Sequence, residues 1–264
     1  MSLDLLQPDW PVTPHVRSAC SLRAGGVSAS PYDSLNLGDH VGDDAKSVAE
    51  NRARYAQALG AKPVYLTQVH GWDVVQLDFV TPDSRIADAC ITTQSGVACT
   101  IMVADCLPVL FANRAGTVVG AAHAGWRGLC GQAGEGVLEH FLKHFKQLAG
   151  IESTQRAMNL GVNDVFVWLG PCIGPDAFEV GEDVRHAFVS VDPLVERHFK
   201  PAAGGKYLGD LQGLARQRLA KLGVTQIYGN DGSTPWCTVS NPSNFFSHRR
   251  DRISGRFAAS VWLV

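Results

Sequence analysis

The sequence has no Cys-x-x-Cys pair, no run of five or more Lys and Arg residues, and no apolar stretch long enough to cross a bilayer. Seven cysteines, an odd number at irregular spacing, argue against a disulfide framework and for a reducing compartment. A formal charge of −2 gives no electrostatic case for nucleic acid or an anionic membrane. The longest apolar stretch, Val97 to Ala112, is too short to span and carries Asp105 in its middle. The N-terminus has no basic segment and carries acids early, unlike a signal peptide, so the expected setting is soluble and cytoplasmic. Also missing are GxGxxG, a P-loop, GxSxG and HExxH, which removes the simplest dinucleotide, nucleoside-triphosphate, α/β-hydrolase and metalloprotease readings.

What is present is a globular composition, 45% hydrophobic over 264 residues, with no Pro/Gly/Ser-rich linker and no repeat. One continuous domain over 1–264 is expected. Asp43 or Asp44 can cap a helix that runs to Leu59 and stops at Gly60. Pro63–Val69, Trp72–Asp78, Val97–Val103, Pro108–Phe111, Val118–His123 and Val165–Leu169 read as strands, as do Ile227-Tyr228, Phe245–His248 and Phe257–Val264. Leu129–Leu148, with Val137, Phe141 and Phe145 on one face, reads as a helix. Asp183–Val189 and Leu208–Leu222 read likewise. Gly150 to Asn163 loses the pattern and is expected to be a surface excursion. Strands and helices mix without strict alternation. The expected fold class is therefore α/β (α+β), with mixed β-sheets packed together and helices on the outside.

Three residues carry the chemistry. His70 stands in Thr67-Gln68-Val69-His70-Gly71, Cys106 in Ala104-Asp105-Cys106-Leu107-Pro108, and His123 in Ala122-His123-Ala124-Gly125-Trp126-Arg127-Gly128. Two imidazoles and a thiolate suit Zn²⁺ and leave a fourth position for water or substrate, the catalytic arrangement. The same groups suit a metal-free Cys–His hydrolase with Cys106 as nucleophile and His123 as base. A blue-copper centre also takes two His and one Cys, but the paired His-x-His sets of a multicopper oxidase are missing. Singly, each has a plain structural reading: a turn residue at His70, a packed thiol at Cys106, a capping His at His123. Asp105 breaks an apolar run and needs a reason to be there, either accepting from a metal-bound His or acting as a base. A helix beginning near Leu129 would turn its free N–H groups towards the His123 loop and favour an anion. Arg127, Arg249 and Arg250 offer planar forks for phosphate. Asn36, His40 and Asn51-Arg52 are further polar candidates. Cys172, in the Gly/Pro loop 170–175, suits a pocket wall.

These segments resemble the laccase-domain family, also called peptidoglycan editing factor, polyphenol oxidase or purine nucleoside phosphorylase. Gly25-Gly26-Val27-Ser28, Ser34-Leu35-Asn36-Leu37-Gly38, Glu50-Asn51-Arg52, Leu169-Gly170-Pro171-Cys172-Ile173-Gly174 and Ser247-His248-Arg249-Arg250-Asp251 extend the likeness along nearly the whole chain. The resemblance implies a zinc held by His70, Cys106 and His123, with copper the lesser alternative. It implies phosphorolysis of adenosine, inosine and 5′-methylthioadenosine, and adenosine deamination is also attributed to the family. Arg52, Arg127, Arg249 and Arg250 remain open as phosphate ligands. Peptidoglycan-precursor editing stays an alternative, and a monomer or weak homo-oligomer is expected.

Overall fold

A computed structural model describes residues 3–150 and 164–264. Its strands in chain order are β1 (Leu5–Leu6), β2 (Val16–Ser21), β3 (Lys62–Tyr65), β4 (Val74–Gln76), β5 (Ala89–Thr92), β6 (Val97–Val103), β7 (Leu107–Asn113), β8 (Val119–Ala124), β9 (Val165–Leu169), β10 (Glu179–Val180), β11 (Phe199–Pro201), β12 (Tyr207–Gly209), β13 (Gln226–Gly229) and β14 (Phe257–Leu263). The α-helices are α1 (Ala45–Leu59), α2 (Trp126–Cys130), α3 (Val137–Leu148), α4 (Glu182–Val189), α5 (Leu211–Lys221) and α6 (His248–Asp251). One sheet has the order β1-β2-β14-β6-β3, a second β13-β9-β7-β8-β5-β4, and β10-β12-β11 form a small third sheet.

Alternation along each strand decides the layering. Phe257, Ala259 and Val261 of β14 pack between the two large sheets with Leu110, Ala121 and Trp168. The intervening Ala258 and Trp262 face outward onto Tyr55 and Leu59 of α1. Val109 and Phe111 of β7 face the other way, onto Phe141 and Phe145 of α3 and Leu211 and Leu214 of α5. The order is therefore helix, sheet, sheet, helices. Strands covered on both faces carry no polar face, which explains the unbroken apolar run of β6 and β7. Phe141 stacks on Phe111 at a centroid distance of 4.1 Å. The helix comes this close because Gly120 lies beneath it, where a Cβ would fall 2.5 Å from the Phe141 ring.

Helix α1 starts at Asp44, whose carboxylate accepts from the Ser47 N–H at 2.9 Å, and ends at left-handed Gly60. Asp43 is not the cap and instead accepts from Ser28 and Asn36.

Four expected elements differ. The helix over Leu129–Leu148 is two, because Gly131, Ala133 and Gly134 adopt positive φ between α2 and α3. Gly209 ends a strand, so α5 starts only after its cap Asp210. Phe245 and Phe246 are buried but form no strand, since the Phe245 N–H turns back to the Asn241 carbonyl. The β3 strand stops at Tyr65, after which the chain leaves β6 and Thr67 bridges to Ile86 instead. The excursion expected from Gly150 onward falls, from residue 151 to 163, outside the described residues.

Candidate metal centre

Two turns and the end of β8 bring His70, Cys106 and His123 together. Each offers a donor atom within 4.8 Å of the others'. Cys106 Sγ lies 3.7 Å from His70 Nε2, and the two imidazole rings meet edge to face at 4.8 Å. In tetrahedral zinc with sulfur and nitrogen ligands, adjacent donors stand about 3.5 Å apart. The Cys106–His70 pair is close to that spacing, and all three donors lie within 4.8 Å of one another. His123 is buried, Cys106 half-buried and His70 exposed, so the open side faces the surface.

Asp88, absent from the sequence reading, sets two of the three. Its Oδ2 accepts from the Val69 and Gly71 N–H groups at 3.1 and 2.7 Å, and its Oδ1 accepts from the His70 N–H at 2.9 Å. These bonds hold His70 at φ 61°, a conformation uncommon for a residue with a Cβ. Oδ1 also receives Nδ1 of His123 at 2.8 Å, which makes Nδ1 the protonated nitrogen and leaves the Nε2 lone pair for the cluster. His123 sits opposite Pro108 in the β7–β8 ladder, and its own N–H goes to the Asp88 carbonyl. The Gln68 side chain exchanges two hydrogen bonds with the Met102 backbone, docking the His70 loop on β6.

Cys106 lies in the turn from β6 to β7, where the chain passes from the first sheet to the second. Asp105 takes φ 98° there. Its carboxylate accepts from the Thr238 hydroxyl at 2.6 Å and the Arg249 N–H at 2.7 Å, and no hydrogen bond joins it to a His among the described residues. It anchors the turn; Asp88 is the carboxylate that orients a His. Close approach requires Gly125, because a Cβ there would stand 2.8 Å from His70 Cδ2 and 3.0 Å from Cys106 Sγ.

Burial pushes the Cys106 thiol up, but the His123 charge and hydrogen bonds from His123 and His70 more than reverse this and bring it down to about 6. For His123, burial works against the charged form, and the Cys106 thiolate and Asp88 overcome it, raising the imidazole to about 9. Without metal the pair favours a thiolate beside an imidazolium, so a metal would meet the thiolate it needs and displace the proton from His123 Nε2.

The cluster opens into a cleft of about 640 Å³. Ile173, Phe178 and Leu211 give it apolar walls, and Arg127, Arg249 and Arg256 face it. None of these three arginines forms an ion pair with a carboxylate among the described residues. Arg127 lies over the Trp126 ring at 4.5 Å, and α2 begins at Trp126 rather than Leu129. Arg249 Nη1 donates to the Ala177 and Glu179 carbonyls. Arg256 was not singled out in the sequence, because nothing beside it breaks pattern.

Most of the other sequence candidates lie outside the cleft. Arg52 stacks on Tyr65 at 4.1 Å and pairs with Asp39 at 3.2 Å, outside the cleft. Arg250 pairs with Asp251 and donates to the Thr238, Val239 and Phe245 carbonyls, which makes it a structural clamp. Asn36 is fully buried and serves neighbouring backbone. His40 lines the cleft; Asn51 is buried under the Ser28–Asn36 loop. Cys172 is buried beside Gln212 and Asn230, behind the wall rather than on it.

A mixed two-sheet fold with a His–Cys–His donor set at the mouth of an arginine-lined cleft defines a candidate metalloprotein. Residues 17–264 match the family described as multi-copper polyphenol oxidoreductase laccase, and the chain belongs to it. It is 48% identical to an Escherichia coli protein named purine nucleoside phosphorylase YfiH, over 98% of this chain and 99% of that one. A Pseudomonas aeruginosa purine nucleoside phosphorylase is 46% identical over 98% of each. Among solved structures, a Neisseria meningitidis protein matches with a TM-score of 0.83 at 42% identity, covering 98% of both chains. No helix among the described residues is long and apolar enough to cross a membrane.

Proposed function

We propose that the chain is a zinc-dependent purine nucleoside phosphorylase, converting adenosine, inosine or 5′-methylthioadenosine and phosphate to the free base and a ribose 1-phosphate. The observation that carries this reading is the cleft itself: a His70–Cys106–His123 donor set beside three arginines with no carboxylate partner among the described residues. The names of relatives nearly half identical along their whole length support it.

His70, Cys106 and His123 would hold the zinc, which when bound supplies a Lewis-acid centre with one open position. Zinc is favoured over copper because two imidazoles and one thiolate suit zinc and the sequence lacks the paired His-x-His sets of a multicopper oxidase. The apolar wall of Ile173, Phe178 and Leu211 suits the purine face, and the arginines suit phosphate. Held together, a phosphate oxygen bonds to C1′ as the C1′–N9 bond breaks, the electron pair leaves with the base and the base takes a proton. Positive side chains that fix phosphate against C1′ lower this barrier by orientation and charge. A monomer or weak homo-oligomer in a reducing cytoplasm belongs to the same reading.

The test is release of hypoxanthine from inosine by zinc-loaded protein. Release must require phosphate, and ribose 1-phosphate must appear in equal amount. Release at the same rate without phosphate would mean hydrolysis and overturn the reading. Adenosine supplies the further distinction: phosphorolysis gives adenine, whereas deamination gives inosine first.

A further inference from the structure

The motif Asn36-Leu37-Gly38 has no surface in the cleft, yet it is built around one residue that does. Asn36 Oδ1 accepts from the Arg256 N–H at 2.8 Å and the Gly38 N–H at 2.9 Å, and the Leu37 N–H donates to the Arg256 carbonyl at 3.0 Å. A Cβ on Gly38 would stand 2.7 Å from Arg256 Cγ, so the glycine leaves the room in which the arginine stem lies. At the far end, Nη1 donates to the Ser254 and Gly255 carbonyls at 2.8 and 3.0 Å. Nε and Nη2 have no protein acceptor among the described residues. A half-buried guanidinium held at backbone, stem and one nitrogen, with an unused two-donor edge on a cleft, is a fork awaiting a planar or tetrahedral oxyanion.

The other two cleft arginines are less prepared. Arg127 is exposed on its tryptophan, and Arg249 is drawn towards the Ala177 and Glu179 carbonyls. Burial and the positive charge of Arg256 lower His40, so its imidazole stands neutral beside the arginine.

We propose that Arg256 is the phosphate-binding residue of this cleft, with Asn36 and Gly38 as positioning residues that hold its free edge towards the ligand. This rests on the phosphorolysis reading for its choice of phosphate, while the oxyanion site itself stands on the geometry of Arg256.

Steady-state kinetics with inosine and inorganic phosphate, and thermal shift with inorganic phosphate alone, test it. R256Q should raise the KM for phosphate about 30-fold with the KM for inosine little changed, the loss expected for one charged hydrogen-bonding fork. R256K, which keeps the charge and loses the fork, should fall between. G38A, which displaces the stem, should raise phosphate KM without changing bound zinc. Phosphate should raise the melting temperature of wild type but not of R256Q. A phosphate KM unchanged in both R256Q and R256K, or an inosine KM that rises in parallel, would overturn the assignment. Arg256-dependent phosphate binding in a protein that splits no nucleoside would sink the functional reading and leave this inference standing. Phosphorolysis indifferent to Arg256 would do the reverse.

Discussion

Asp88 Oδ1 stands 2.8 Å from Nδ1 of His123, with both side chains buried. The same carboxylate gathers the three N–H groups of residues 69–71, so one side chain fixes a buried ligand and an exposed one together. Asp88→Asn should weaken zinc binding about 10–100-fold, the usual cost of losing such a support. Competition with a chromogenic chelator measures it; unchanged affinity would refute the role. Burial pushes the Asp88 carboxyl up, but its bonds to His123, Gly71 and Val69 reverse this and hold it below the ordinary range. Its stabilising contribution is therefore present above the unfolded carboxylate pKa and is lost as pH falls through the depressed folded value.

Removing any one donor should empty the centre. His70→Ala, Cys106→Ala and His123→Ala are each expected to lose zinc and turnover together, because two remaining ligands no longer close a site. Metal analysis and hypoxanthine release read the two outcomes. Full activity in a variant without bound metal would contradict the proposal.

Cys106 should be the most reactive of the cysteines in metal-free protein. A thiolate forms above the thiol pKa, and Cys106 is brought down to about 6. Its alkylation by iodoacetamide should remain fast down to about that pH, whereas an ordinary thiol slows below about 8.5. Burial raises Cys20, Cys99, Cys130 and Cys172, so these should stay unlabelled in the folded chain. Zinc should protect Cys106. Peptide mapping across a pH series decides it.

Gly125→Ala should damage the centre more than the fold. The added carbon would press on His70 Cδ2 and Cys106 Sγ, both at the surface end of the molecule. Zinc affinity is expected to fall about 100-fold, because donors moved by half an ångström no longer share a tetrahedron. Melting of the metal-free protein should change little.

Phe141→Ala is the opposite case. It removes a fully buried ring stacked on Phe111, far from the donors, and should cost about 4 kcal/mol and about 10 °C in Tm. Zinc stoichiometry in the folded fraction should be unaffected. Calorimetry and metal analysis separate the two readouts.

The layers were legible because their cause is periodic: Val137, Phe141 and Phe145 recur at helical spacing, and β6 and β7 run apolar because both faces are covered. What misled was local chemistry without a period. Phe245 and Phe246 resemble a strand, but a turn to Asn241 places them in the same core. The donor trio was legible as three polar interruptions at strand ends. Asp88 was not, because a lone Asp before an apolar strand carries no spacing that links it to residues 70 and 123. Asp105 drew attention for breaking a run, yet its partners, Thr238 and Arg249, lie far along the chain. Arg52 and Arg250 are held by Asp39 and Asp251, and Arg250 also by three backbone carbonyls, partners that no spacing announces.

The β6–β7 turn steps from one sheet to the other at Cys106, while His70 follows a strand of the first sheet and His123 ends a strand of the second. A metal at this place rivets the two leaves of the sandwich at one edge. Its affinity then adds to the cohesion of the whole chain, since an ion that binds only the docked leaves favours docking by mass action. The metal-free protein should part first along this edge, with hydrogen exchange quickening at residues 67–71 and 104–107 before the distant face against α1 responds.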